Sequence, residues 1–147
     1  MAVVCEQLDG YTQWVVVEET KKAFVGDEPE SLGGTNLGPN PFALLLASVG
    51  TCTITTLEAV AREKNIPLEG ARVSVTHRQN LAIDAPEDPR QRQLHMTKIV
   101  RRITVRGPID QDQQKELLWG AEHCPVSNTL QGGTAEIETT LELARDR

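Results

Sequence analysis

An α+β domain, with antiparallel sheets packed around one long central helix, is the fold class this sequence predicts, and three observations carry it. The stretch from Pro41 to about Asn65 is apolar in its first half and continues without a helix breaker. Ahead of it, "TQWVVVEET" is dense in β-branched residues and "KKAFVGDEP" ends in turn formers, the marks of a strand meander. Behind it, residues 71–80 and 96–106 each alternate apolar and polar side chains with the period of a strand. At 147 residues and 39% hydrophobic the chain suits a single domain, 1–147, whose core must be aliphatic because only 3% of it is aromatic.

Each element has its local reason. In "DEPESLGGTNLGPNP" glycines and prolines forbid regular structure, so the meander is joined to the helix by a linker or a site-forming loop. Asn40 is placed to cap the helix and Pro41 fits its first position. Leu44, Leu45, Ala47, Ser48, Thr51, Cys52, Thr55 and Ala59 share one broad face, and the start from Phe42 to Val49, apolar nearly all round, predicts burial there, by the fold or by a second subunit. The strands at 71–80 and 96–106 are expected to pair antiparallel across a polar, proline-bearing protruding loop, "AIDAPEDPRQRQLH". "DQDQQKELLWGAEH" reads as a short helix with an acidic first turn, and "CPVSNTLQGG" as a further helical turn or two entered through Pro125 and closed by Gly132 and Gly133. A last strand is expected over "TAEIETTLELA".

A net charge of -6 and a pI near 5.1 exclude a surface built to gather along phosphate backbones, so no nucleic-acid partner is expected. No apolar run reaches the length of about 18 residues that a bilayer requires, and "MAVVCEQLDG" lacks the basic-then-apolar pattern of an export signal. The cytoplasm is the expected location, with no membrane partner.

Cys5, Cys52 and Cys124 are odd in number and widely spaced, which speaks against a structural disulfide framework. Cys124 has the better local grounds for reactivity: it precedes Pro125 at a helix start, where unpaired N–H groups favour an anion, and His123 adjoins it. Cys52 lies deep inside the long helix, so its activation would have to come from other segments; core packing is the competing reading for it. Cys5, near the chain start, reads as incidental. A metal site drawn from the cysteines with His77, His95 and His123 lacks any short ligand pair, and the loop glycines match no phosphate-binding pattern, so no metal and no cofactor are expected.

At "GPNPFALLLASVGTCTITTL" followed by "HCPVSNTL", the sequence resembles the OsmC/Ohr family of osmotically inducible and organic hydroperoxide resistance proteins, closest to its OsmC-like branch. The likeness runs over nearly the whole chain. It implies an OsmC-like fold, an intertwined homodimer, and a thiol-dependent peroxidase acting on organic hydroperoxides with an external dithiol as reductant. It further implies Cys52 as the peroxidatic residue and Cys124 as the resolving one.

The same resemblance implies a glutamate just after the helix-opening proline, paired with an arginine from the N-terminal strands to hold the reactive thiolate. Here Phe42 and Ala43 follow Pro41, and no arginine precedes the helix. Lys21 or Lys22 with Glu28 or Glu30 could stand in as the ion pair, although lysine lacks the bidentate fork of arginine. Thr51, Thr53 or Thr55 could add a hydroxyl, and His123, adjoining Cys124, is a further supporting candidate. The missing pair also opens an alternative: a non-catalytic dimer that binds a small hydrophobic molecule or senses redox state.

Overall fold

The computed structural model of the protein describes residues 1–79, 96–133 and 138–139. Strands β1 (Val3–Asp9), β2 (Thr12–Val17) and β3 (Lys22–Gly26) form an antiparallel meander in the order β1-β2-β3. Gly10 and Lys21 make the two turns in left-handed conformations, φ 52° and 55°. The sequence reading had marked the second and third of these strands; β1 adds a third whose residues are all exposed.

The Gly- and Pro-rich segment after β3 folds back on it around one buried acid. Asp27, 2% exposed, accepts from the backbone N–H groups of Glu28, Thr35 and Leu37 at 2.8, 3.1 and 3.1 Å, and from the Thr35 hydroxyl at 2.6 Å. Gly34 and Gly38 are dictated by contact: a Cβ on either would collide with the carbonyl of Glu28 or of Val25.

Helix α1 spans Pro41–Lys64, as its caps foretold. The Asn40 side chain accepts from the Ala43 N–H at 2.8 Å, and Asn65 closes the helix in the left-handed region with its N–H on Ala61 and Arg62. The buried stripe, however, is Val49, Thr53, Leu57 and Ala61, at strict i, i+4 spacing, whereas Ala47, Thr51, Thr55 and Ala59 face outward. A helix start apolar but for Ser48 leaves the sequence little contrast from which to choose a face. The first half of α1 is accordingly only half-buried in the single chain; burial is deepest in its second half, where Leu57, Ala61, Ile66, Leu117 and Ala121 form the core. Truncating Leu57 to alanine there would cost about 2–5 kcal/mol.

An 18-residue window of α1, with mean hydropathy 1.6, is long and apolar enough by length and composition to cross a membrane, which corrects the expectation that no such run exists. The helix packs against β4, α2 and α3, and 17% of that window is buried within the single chain.

Strands β4 (Gly70–Gln79) and β5 (Met96–Arg106) pair antiparallel, with Ala71, Val73 and Val75 opposite Val105, Ile103 and Arg101. These residues alternate half-buried with exposed neighbours, so one face of the ribbon lies on α1. Helix α2 (Gln111–Glu122) opens on a full capping box between Asp110 and Gln113. Its Gly120 meets α1 so closely that a Cβ would lie 2.7 Å from Val60. Helix α3 (Pro125–Gly132) follows at once, with Cys124 as its N-cap residue and Gly133 ending it at φ 56°. The loop expected over 82–95 lies outside the described residues. So does the terminal strand expected over 134–144, except 138–139, which carry no regular structure.

Candidate active site

Three elements converge on one sulfur. Cys124, at the junction of α2 and α3, has no exposed surface, and Thr53 from α1 covers it with none of its own. Ser127 stands on the first turn of α3, three residues beyond the N-cap, and its hydroxyl lies 2.9 Å from the Cys124 Sγ. From β5, the Arg101 Nη1 donates to the Thr53 Oγ1 at 2.8 Å and to the Ser127 Oγ at 3.2 Å, and reaches the Cys124 Sγ at 3.7 Å. The Thr53 Oγ1 is 3.9 Å from the same sulfur. Its hydroxyl also donates to the Val49 carbonyl at 2.7 Å, so the oxygen that receives Arg101 is fixed in place.

Burial by itself pushes the Cys124 thiol up, but the Ser127 hydroxyl, the Ser127 backbone N–H, the Cys52 thiol and Thr53 together outweigh it, lowering the pKa from 9.0 to about 7. The Arg101 guanidinium, aimed at the sulfur by its two hydroxyl partners, acts in the same direction. Cys52 sits half-buried on α1, beside Thr53 in sequence and near Cys124 in space; both cysteines are free thiols here. A cavity of about 100 Å³ adjoins the cluster, lined by Val49, Ile99, Arg101, Ser127, Leu130 and Gln131.

The other residues singled out from sequence are not gathered here. Lys21, in the β2–β3 turn, and Lys22, the first residue of β3, are both exposed. Glu28 belongs to the loop organised by Asp27, and Glu30 to the 3-10 turn Glu30–Leu32. The Thr51 hydroxyl donates back to the Ala47 carbonyl at 2.9 Å. The His123 ring stacks on Trp119 at 4.4 Å, and its Nδ1 meets the Trp119 carbonyl at 2.8 Å, on the exposed side of α2. His77, weighed as a metal ligand, stacks on Phe42 at 6.0 Å instead.

Sequence reasoning missed Arg101 and Ser127, and offered Thr53 only as one of three threonine hydroxyls. Arg101 had a signal: it shares the inward parity of β5 with Ile99, Ile103 and Val105, and a charge at a core-facing position asks for a partner. Ser127 had one too, since the third residue after an N-cap is the one a capping side chain faces.

Residues 34–140 match the family described as OsmC-like protein. The chain belongs to the OsmC-like family. Solved structures extend that placement to the fold. This OsmC-like chain superposes with a TM-score of 0.72 on the OsmC-like protein of Mycoplasma pneumoniae, at 20% identity over 89% of this chain and 86% of that one. An organic hydroperoxide resistance protein OsmC from Legionella pneumophila gives 0.66 at 21% identity, over 90% of each chain. The organic hydroperoxide resistance protein OhrB of Bacillus subtilis gives 0.60 at 21%, over 90% and 92%. Among curated proteins, no sequence relative matches the chain. The α+β architecture of antiparallel sheets and one long helix is therefore the OsmC/Ohr fold.

Proposed function

We propose that this OsmC-like protein is a thiol-dependent peroxidase that reduces organic hydroperoxides, and hydrogen peroxide more weakly, in defence against oxidative stress in the cytoplasm. The observation that carries the reading is the arginine-held cluster of Arg101, Ser127 and Thr53 around Cys124, with Cys52 beside it. Names of structural neighbours that refer to organic hydroperoxide resistance support the substrate class.

In the cycle, the Cys52 sulfur attacks the peroxide O–O bond. A sulfur–oxygen bond forms, the O–O bond breaks, and the thiol proton ends on the departing alkoxide, giving an alcohol and a Cys52 sulfenic acid. The Cys124 thiolate then attacks the oxidised sulfur; the disulfide forms, and hydroxide leaves and takes up a proton to become water. An external dithiol returns the two electrons. The aliphatic residues Val49, Ile99 and Leu130 beside the cluster favour an alkyl group over hydrogen peroxide, at about 0.8 kcal/mol per methylene buried. The working form is a homodimer in which a second copy covers the half-buried start of α1.

Stopped-flow reduction of cumene hydroperoxide by the wild type and by Cys52→Ser tests the reading. Fast consumption by the wild type and its loss in the variant are expected. Equal slow rates would replace the peroxidase with the non-catalytic alternative, a dimer that senses redox state or binds a hydrophobic ligand.

A further inference from the structure

The two sulfurs differ in access and in surroundings, and that asymmetry gives the reducing half of the cycle a direction. We propose that the external dithiol attacks the sulfur of Cys52 in the Cys52–Cys124 disulfide and expels Cys124 as a thiolate received by Arg101 and Ser127. The proposal rests on the reading above only in that the two cysteines join.

Thiol–disulfide exchange is governed by which sulfur can be reached and by which one leaves as the more stable thiolate. Both criteria select the same direction. Cys52 is half-buried on α1, while Cys124 has no exposed surface and is roofed by Thr53 and Ser127, themselves buried. The donors sit on the other sulfur: the Ser127 hydroxyl at 2.9 Å and the Arg101 Nη1 at 3.7 Å from the Cys124 Sγ. Arg101 is held in that pose by Thr53 and Ser127, so no reorganisation is needed when charge arrives. Ser127 and Thr53, which lower the Cys124 pKa, do not depend on the Cys52 thiol and remain to favour Cys124 as the leaving thiolate.

The step balances. A reductant thiolate forms a sulfur–sulfur bond to Cys52 as the Cys52–Cys124 bond breaks, and the electron pair of that bond leaves on Cys124. The second thiol of the reductant then closes on the first, releasing Cys52 as a thiol. The dithiol is oxidised to its disulfide, and the protein disulfide is reduced. A monothiol stops at the mixed disulfide and so records the site of attack.

The test uses the full chain with Cys5→Ser, so that the exposed third thiol adds no adduct. The disulfide is formed once with cumene hydroperoxide and once with diamide, treated briefly with 2-mercaptoethanol, quenched in acid and mapped by peptide mass spectrometry. An adduct on the Cys52 peptide in at least about tenfold excess over the Cys124 peptide is expected, a rate ratio worth about 1.4 kcal/mol between the two routes of attack. Arg101→Gln should slow the exchange at pH 7 several-fold and move its pH dependence upward, and Arg101→Lys should restore part of the rate. An adduct on Cys124, or on both equally, overturns the proposal, as does failure of diamide to join the two cysteines. A disulfide that forms with diamide but not with hydroperoxide removes the peroxidase reading and leaves the direction of attack to be decided by the map.

Discussion

Two buried anion sites, the loop acid Asp27 and the thiol Cys124, are built from similar parts and set to different ends. Each is almost fully enclosed, and each gathers hydroxyl and backbone N–H donors. At Asp27 the Thr35 hydroxyl outweighs burial, and the N–H groups of Leu37, Glu28 and Thr35 add to it, taking the carboxyl from 3.8 to about 2. At Cys124 burial pushes the other way, but the Ser127 hydroxyl and N–H, the Cys52 thiol and Thr53 take a thiol from 9.0 to about 7. Hydrogen bonds to the charged form shift both groups in the same direction, and the difference lies in where each began. An acid already charged at neutral pH becomes a permanent strut for the Gly- and Pro-rich loop. A thiol lowered to neutrality becomes a group whose charge, and therefore whose nucleophilicity, is poised to change.

The comparison breaks most completely with Cys124→Ser. The hydroxyl keeps its place among the donors, but disulfide formation stops; the Cys52 sulfenic acid persists and is trapped by dimedone, and multiple turnover falls by more than about 10²-fold. Ser127→Ala removes the 2.9 Å partner and raises the Cys124 pKa by about one unit, so thiolate absorbance at pH 7 drops roughly fivefold in a Cys52→Ser background. Asp27→Asn replaces one acceptor oxygen by an NH2 group, which must face either the Glu28 N–H or the Thr35 and Leu37 N–H groups. Its Tm should fall by several degrees while the thiolate titration stays where it was; a shift in that titration would show the two sites to be coupled. The smallest effect is on pH dependence. Because the Asp27 carboxyl is depressed in the folded state, its contribution is present above about 3.8 and lost as pH falls toward 2; Asp27→Asn should flatten that acid limb in urea titrations. By the same sign, the contribution of Cys124 is complete above about 9 and is lost as pH falls through 7.

The fold was largely legible. Asn40 with Pro41, the alternation of β4 and β5, and the acid at the start of α2 are local signals, and the helices and strands they announced stand where expected. The buried face of α1 was not legible, because Phe42 to Val49 is apolar but for Ser48, and Thr53, the polar residue that faces inward, is suited to that place only by bonds to Val49 and Arg101. The cysteines of the candidate site carried a signal in the sequence and its cation a fainter one. The family resemblance points for a positive partner to the N-terminal strands and so to Lys21 or Lys22, while Arg101, the cation beside Cys124, lies 23 positions before it, on a strand whose inward parity marks it as out of place among Ile99, Ile103 and Val105.

That arginine gives the β4–β5 ladder a second meaning. Arg101 is opposite Val75, and its inward aim depends on that pairing. A slip of one residue would turn Arg101 outward and bring Val100 or Arg102 toward the thiol; a slip of two would offer an isoleucine. The hairpin register is thus a redox setting. Substitutions at the ribbon's far end that touch neither cysteine can detune the sulfur by moving its cation one notch along the strand.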